Sequence, residues 1–257
     1  MHQASKIRYT IIVDKETFQK HIQTEHQSSP VSTYLEECVY GGTDGIITTF
    51  AVVAGFSGAN LGDQTLNLSV ITVLLFGLAN LIADGAAMGL GNYLSVKSAK
   101  SLYHATYQME LKEIKESYDY EIAETEYLFQ EQGFNEKDSK TLTQIISKNT
   151  DYWIKLMIQH ECELENMDNI SAIKNGAATF ISFLIFGFIP LIPYFLNLNH
   201  SNSFYLSILF TIFALASLGF IRGKVASDNI IKSIFETIII GGLAASLAFI
   251  IGTLFKH

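Results

Sequence analysis

Five long blocks of apolar residues limit what this chain can fold into. A membrane-spanning helix needs about 20 mostly apolar residues to cross roughly 30 Å of hydrocarbon. The blocks lie at about 39–61, 66–94, 172–196, 203–221 and 234–255. Most of the 18 glycines lie inside them, where small residues let membrane helices approach closely. The sequence therefore predicts an all-α membrane protein with five transmembrane helices.

The basic residues predict how these helices are oriented. Sixteen of the 17 Lys and Arg residues fall before the first block, around the interval 97–171, or between the last two blocks, whereas the loops at 62–65 and 197–202 contain none. The positive-inside rule then places the amino terminus and the interval 97–171 in the cytoplasm. No apolar stretch of signal-peptide length occurs in the first 30 residues, so we expect this terminus to be retained there.

The chain is accordingly divided into four regions. They are a cytoplasmic N-terminal segment (1–36), transmembrane helices one and two (37–96), a cytoplasmic helical domain (97–171) and transmembrane helices three to five (172–257). In the cytoplasmic domain, apolar residues recur at helical spacing, as in Leu142, Ile145, Ile146, Trp153, Leu156 and Met157. We expect two or three amphipathic helices with a turn at 133–138, continuous with the second transmembrane helix.

This domain contains carboxylates at spacings that suit metal binding. Glu110 with Glu113, and Glu121 with Glu124, are i,i+3 pairs that each project from one helix face. On one unbroken helix the pairs would stand about 16 Å apart, too far to share one ion. A bend near 118–120 would let them converge, whereas separate ions or a second subunit would not require one. Met157 and Glu161 form an i,i+4 pair on a later helix.

Two interpretations of these carboxylates remain open on spacing alone. Clustered carboxylates repel one another, and a divalent cation removes that repulsion. Oxygen ligands suit Mg²⁺, Ca²⁺ or Mn²⁺, and a thioether shifts the preference toward Fe(II). The alternative is a solvated helix face, which such pairs commonly form. The cysteines, Cys38 and Cys162, are expected to be free thiols, although Cys162 adjoins acidic residues and a metal contact is its minor alternative.

The first two apolar blocks carry a second polar set. Asp44 and Thr48 share one face of the first helix, and Asn80, Asp84 and Met88 share one face of the second. A charge inside the bilayer costs several kcal/mol, so such residues usually face a bundle interior or an aqueous path. The alternative is that Asp44 and Asp84 only cap or hydrogen-bond near the membrane edge. Glu236 in the fifth helix is either a proton carrier or an interfacial residue.

Several classes of function are disfavoured. A formal charge of −8 disfavours nucleic-acid binding. The sequence contains no CxxC zinc spacing, Walker loop or Ser/His/Asp arrangement, so we expect neither an ATP-driven pump nor an enzyme, and no permanent cofactor. A di-iron oxidase is also disfavoured because no ExxH pair is present.

Long motifs in this chain resemble the vacuolar iron transporter family, which includes iron/manganese transporters of the yeast calcium-cross-complementing type. The runs are DGIITTFAVVAGFSGANL, GLANLIADGAAMGLGNYLSVKS, FISFLIFGFIPLIPYFL and ETIIIGGLAASLAFIIGTLF. The resemblance implies five spans, a homodimer with its path at the subunit interface, and exchange of Fe(II) or Mn(II) for protons. It also implies a cytoplasmic metal-binding domain. The family's metal-binding glutamates and Met–Glu element fall on Glu110, Glu113, Glu121, Glu124, Met157 and Glu161, and its membrane Asp and Met on Asp44 and Met88.

The sequence departs from the family at three positions. Asn80 stands where eukaryotic members carry a glutamate, and we infer that Asp84 supplies the carboxylate. Ala99 replaces an acidic residue after helix two, and Ile158 replaces one of two adjacent methionines. The bacterial-type pattern favours a plasma membrane over a vacuole. We therefore expect a proton-coupled exporter of Fe(II) or Mn(II) from the cytoplasm, the alternative being a membrane-anchored metal sensor or storage module.

Overall fold

The fold is all-α in the residues that the computed structural model describes, which are 14–18, 20, 30–59, 70–196 and 200–254. Eight helices organise it: α1 (Leu35–Ala59), α2 (Val70–Glu116), α3 (Tyr118–Glu131), α4 (Glu136–Ile146), α5 (Thr150–His160), α6 (Ala172–Phe188), α7 (His200–Val225) and α8 (Ile230–Leu254). Single turns at Pro30–Thr33, Ile189–Leu191 and Ile192–Phe195 adjoin α1 and α6. The loop predicted at 62–65, residues 197–199 and most of the segment 1–36 lie outside the described residues.

Five of these helices are long and apolar enough to cross a membrane, which confirms the predicted number of spans. They are α1, α2, α6 with its following turns, α7 and α8. Many of their apolar side chains face outward, among them Ile231, Leu243, Leu247 and Leu254 of α8. Outward apolar faces of this extent suit contact with lipid and would be unfavourable in water.

Helix α1 lies at the centre of the membrane bundle. It packs against α2, α6, α7 and α8, whereas α2 packs mainly on α6, and α7 on α8. Glycines allow the closest of these contacts: a Cβ added at Gly187 of α6 would lie 2.7 Å from the carbonyl oxygen of Gly45 in α1. The bundle therefore holds the polar residues of α1 in its interior.

Helix α2 is much longer than a membrane requires. Its 47 residues extend for about 70 Å at 1.5 Å per residue, more than twice the hydrocarbon thickness. The apolar part ends near residue 96, so the last 20 or so residues project beyond the bilayer, which confirms the predicted continuity with the helical interval. We call the projecting region, residues 97–171, the cap.

The cap is a small bundle with its own hydrophobic core. The core contains Tyr103, Ile114, Trp153, Ile154, Met157 and Ile158 from α2 and α5. The predicted turn between α3 and α4 is present, and Gly133 adopts a left-handed φ of 95° there. The apolar pattern of α4 is confirmed in part: Ile146 packs against the cap core, whereas Ile145 is 58% exposed. The small polar residues Ser139 and Thr143 are also buried, which the apolar pattern does not predict.

Candidate functional site in the cap

The two glutamate pairs converge because the helix that carries the first pair stops between them. Helix α2 ends at Glu116, Ser117 leaves the helical conformation (φ −135°, ψ 38°), and α3 begins at Tyr118. A bend near 118–120 was one of the alternatives for bringing the pairs together, and a break is present one residue earlier, at Ser117. The Glu110 and Glu121 carboxylates are now close enough to repel each other, and Glu113 acts on both.

One residue of each pair is buried and incompletely hydrogen-bonded. Glu110 is 1% exposed and Glu121 is 4% exposed. The Oε2 atoms of both side chains are buried and accept no hydrogen bond from the described part of the protein. Burial without a partner is costly for a charged oxygen, so these two atoms make the ionised cluster unfavourable as it stands.

The electrostatics of these two groups follow from their position. Burial, and then repulsion from neighbouring glutamates, raises the pKa of Glu110 from its ordinary 4.5 to about 7. The same causes, in the same order, raise the pKa of Glu121 to about 7. Glu113 is exposed and Glu124 is half-buried, so the outer members of the pairs remain accessible from water.

Helix α5 brings the predicted Met–Glu element to the same place. Glu161 caps the C-terminal end of α5, and burial, then repulsion from Glu124 and Glu113, raises its pKa. Met157 is completely buried, and its sulfur accepts a hydrogen bond of 3.3 Å from the Thr125 hydroxyl. Trp153 donates a 2.7 Å hydrogen bond to the same hydroxyl, one helical turn from Glu121.

A residue given little weight in the sequence analysis also belongs to this cluster. The Cys162 thiol donates a 3.7 Å hydrogen bond to Oε1 of Glu110. Burial, and then repulsion from Glu110, raises the pKa of this thiol to about 11. Its place next to Glu161 was the only signal in the sequence, and the contact itself depends on the packing of α5 against α2.

The cluster is not a finished coordination site. Among residues 14–18, 20, 30–59, 70–196 and 200–254, no group of three or more His, Cys, Asp or Glu side chains is arranged to hold a metal ion as it stands. Mutual repulsion keeps like charges apart, and a bridging divalent cation would remove that repulsion. To share such an ion, the carboxylates would have to move closer together by side-chain rotation.

The polar residues predicted in the membrane lie where α1 faces α2. The Asn80 amide donates a 2.6 Å hydrogen bond to Asp84, and the Thr48 hydroxyl donates a 2.8 Å hydrogen bond to the backbone carbonyl of Asp44. The Asp44 and Asp84 carboxylates interact across the two helices. All four residues, like Met88, are half-buried. The two aspartates therefore form a pair between helices.

A cavity of about 580 Å³ lies between this membrane pair and the cap. Its lining includes Met88 from the membrane set, Glu36 and Glu37 at the start of α1, and Glu165 and Met167 after α5. Glu37 is buried and accepts a hydrogen bond from the Asn175 amide. The cavity is thus lined by carboxylates and sulfur atoms from the membrane helices and from the end of the cap.

Glu236 has the surroundings of an interfacial residue. Its carboxylate pairs with Arg222 at 2.6 Å and stands 3.8 Å from Lys232. The side chain is therefore held by ion pairs near the end of α8 that adjoins the loop between α7 and α8.

A second cavity, of about 770 Å³, opens on the outside of the bundle between α1, α2 and α8. Small residues line it, including Ala51, Gly55, Ala79 and Ala83, and Asn80 faces it as well. A Cβ added at Gly55 would meet nothing within 4 Å. Small residues on an uncovered membrane face are typical of helix–helix interfaces.

Comparison with known proteins agrees with this architecture. The VIT family matches residues 35–253, which include all five spans and the cap. Vacuolar iron transporter 1 of Arabidopsis thaliana is 29% identical over 97% of this chain and 96% of its own length. The vacuolar iron transporter of Toxoplasma gondii is 32% identical over 90% of this chain and 78% of its own length. The vacuolar iron transporter of Plasmodium berghei is 31% identical over 90% of this chain and 85% of its own length.

Proposed function

Because this chain belongs to the VIT family and is a multi-pass membrane protein, we propose that it exports Fe(II) or Mn(II) from the cytoplasm in exchange for protons. Its relatives are named as iron transporters, which supports metal transport, and we propose no catalytic role. The metal is the substrate in this proposal, and no permanent cofactor is needed.

The observation that carries the proposal is the pair of buried carboxylate oxygens in the cap. Glu110 and Glu121 each keep one oxygen buried without a hydrogen bond, and the neighbouring glutamates add further negative charge. A divalent ion would bind the oxygens that lack hydrogen bonds and would also offset the negative charge of the cluster. We assign capture of the ion to the cap residues Glu110, Glu113, Glu121, Glu124, Met157 and Glu161.

From the cap, the ion would move through the cavity of about 580 Å³ to the membrane pair. Met88 lines that cavity and lies one turn from Asp84, so its sulfur is the first membrane ligand the ion would meet. Asp44 and Asp84 would then hold the ion between α1 and α2, and Asn80 and Thr48 would orient the site. Protonation of the aspartates from the far side would release the ion.

We further propose that two copies form a homodimer through the open face between α1, α2 and α8. Covering the small residues of this face would also enclose Asn80 in the dimer and remove it from lipid. In an isologous dimer, a residue near the two-fold axis meets its own copy. A Cys38→Ser, Cys162→Ser, Ala83→Cys protein should form a cross-linked dimer on oxidation in membranes. A protein that stays monomeric in the same membranes would refute this interface.

The proposed location is the plasma membrane of a bacterial cell, with the amino terminus and the cap in the cytoplasm. The bias of the basic residues supports this orientation, and the bacterial-type sequence pattern supports the membrane. Accessibility of a cysteine introduced into the cap, tested from each side of sealed vesicles, would measure the orientation directly.

The decisive experiment uses proteoliposomes with an acidic interior and a metal-quenched dye inside. Fe(II) or Mn(II) added outside should enter through molecules whose cap faces outward, and uptake should require the proton gradient. Asp44→Asn should abolish uptake while metal still quenches Trp153, which lies in the cap core. Asp228→Asn, an exposed change in the loop between α7 and α8, is the matched control and should transport normally.

Three other outcomes would contradict this proposal. Metal binding without uptake, in vesicles shown to be tight, would indicate the sensor or storage module. Equal loss of uptake and of Trp153 quenching in Asp44→Asn would contradict the separation of capture from translocation. Oxygen consumption that depends on Fe(II) would indicate an oxidase instead.

A further inference from the structure

The Cys162 thiol occupies a defined position in the cap. Helix α5 ends at His160, and the chain turns back at Glu163, which adopts a left-handed φ of 53°. The Leu164 amide donates to the Ile158 carbonyl across this turn, and Leu164 packs against the cap core. The turn therefore fixes Cys162 at the edge of the carboxylate cluster.

The separation between Cys162 and Glu110 fits a shared metal ion. Bond lengths of about 2.3 Å to sulfur and about 2.1 Å to oxygen, at a tetrahedral angle, separate the two donor atoms by about 3.6 Å. The observed distance from Sγ to Oε1 is 3.7 Å. The second oxygen of Glu110 is buried without a hydrogen bond, which is an independent indication that this carboxylate faces a ligand.

Met157 does not offer the same contact, because it lies in the hydrophobic core and its sulfur accepts a hydrogen bond from Thr125. Ile158, next to it, is completely buried in the core and carries no sulfur. Met109 is 49% exposed, and Met167 lines the cavity of about 580 Å³. Among the contacts of the described cap, the sulfur that reaches a cluster carboxylate is that of Cys162.

We propose that Cys162 is a thiolate ligand of the metal captured by the cap and that it makes the cap select borderline ions such as Fe(II) over Mn²⁺, Mg²⁺ and Ca²⁺. The inference rests on the proposed function, since it takes the carboxylate cluster to be a metal site. On binding, the thiol proton leaves to solvent and the sulfur forms a bond to the metal. A thiolate adds a softer donor to an otherwise hard oxygen set.

Co(II) serves as the probe because its bond to a thiolate gives a charge-transfer absorption that carboxylates do not give. The full-length protein in detergent would be titrated with Co(II) in wild type, Cys38→Ser and Cys162→Ser. Cys38 lies in α1, away from the cap, so its replacement leaves Cys162 as the remaining thiol. We expect the absorption in wild type and Cys38→Ser, and its loss in Cys162→Ser.

Metal affinities distinguish the contribution of Cys162 from that of the carboxylates. Cys162→Ser should still bind Co(II) through the carboxylates, but at least about tenfold more weakly, the scale of loss typical for groups that support a metal site. Mn(II) affinity should fall less. Trp153 fluorescence would verify that the variant retains a folded cap.

A measurement without substitution in the cap provides a second test. In Cys38→Ser, saturating Co(II) should slow alkylation of Cys162 by N-ethylmaleimide, and Mg²⁺ at the same concentration should not. Co(II) bound without charge-transfer absorption or protection would overturn the role of Cys162 while leaving the carboxylate site intact. Failure of wild type to bind either Co(II) or Mn(II) would overturn both the inference and the metal-capture proposal.

Discussion

Replacement of Glu110 by glutamine removes the electrostatic cost of burying this carboxylate in the folded cap, and it also removes one of the proposed metal ligands. The wild-type carboxylate has a pKa of about 7 when folded, against its ordinary 4.5. At about 1.36 kcal/mol for each pKa unit, the ionised side chain destabilises the folded cap by at most about 3.4 kcal/mol. Neighbouring glutamates partly relax when Glu110 is neutralised, and the buried amide needs its own partners, so we expect a net gain of about 1–3 kcal/mol.

The sign of the effect depends on pH and on metal. A folded pKa above the unfolded one means that the folded cap holds more protons between pH 4.5 and 7, so its stability falls as pH rises through this window. Glu110→Gln should therefore match wild type near pH 4 and exceed it at pH 8 in the presence of a chelator. With Mn(II) at 100 times its dissociation constant, wild type gains about 2.7 kcal/mol, and the variant, which binds more weakly, should lose its advantage.

Trp153 makes the assay specific for the cap. It is the single tryptophan of the chain and is completely buried in the cap core, so its fluorescence follows unfolding of the cap. Urea unfolding of the full-length protein in detergent would be compared at pH 4 and pH 8. Glu116→Gln is the matched control, since it removes only an exposed pair with Lys112 and should change stability by less than about 0.5 kcal/mol. A variant less stable than wild type at pH 8 without metal would refute the reasoning.

Three further predictions follow from other contacts. Mn(II) affinity, measured by Trp153 quenching, should rise between pH 6 and 8 because Glu110 and Glu121 must lose protons to bind; a flat profile would contradict their role as ligands. Gly133→Ala should destabilise the cap by about 1–2 kcal/mol in the urea assay, because alanine disfavours the left-handed φ of 95°; an unchanged midpoint would contradict this. Gly187→Ala should lower the melting temperature in detergent, at a cost of about 1–3 kcal/mol, because its Cβ would meet the α1 backbone. Gly242→Ala in α8, whose Cβ would meet nothing within 4 Å among the described residues, should not, and equal effects of the two changes would refute this packing.

Much of the fold could be predicted from local patterns. The five spans follow from apolar length alone, and the continuity of α2 into the cap is consistent with the absence of proline between 70 and 116. The bend between the glutamate pairs was one of several alternatives, and its position at Ser117 required the structure. In α4 the apolar pattern predicted the packing of Ile146 but not the exposure of Ile145 or the burial of Ser139 and Thr143.

The candidate site, like the fold, was only partly predictable from the sequence. Spacing identified the glutamate pairs but could not distinguish the buried members, Glu110 and Glu121, from their more exposed partners Glu113 and Glu124. Burial depends on what packs against a helix face, which spacing along one helix does not specify. The contact between Cys162 and Glu110 joins residues 52 positions apart and has no local signature.

The sequence by itself determined the membrane class, the number of spans and the residue types available to a metal, because hydropathy and charge act through short stretches of chain. Only the tertiary structure decided which carboxylates lose their water, which cysteine faces them and how α1 and α2 bring Asp44 and Asp84 together. Desolvation and repulsion depend on distances between helices, and those distances are set by close packing at residues such as Gly45 and Gly187.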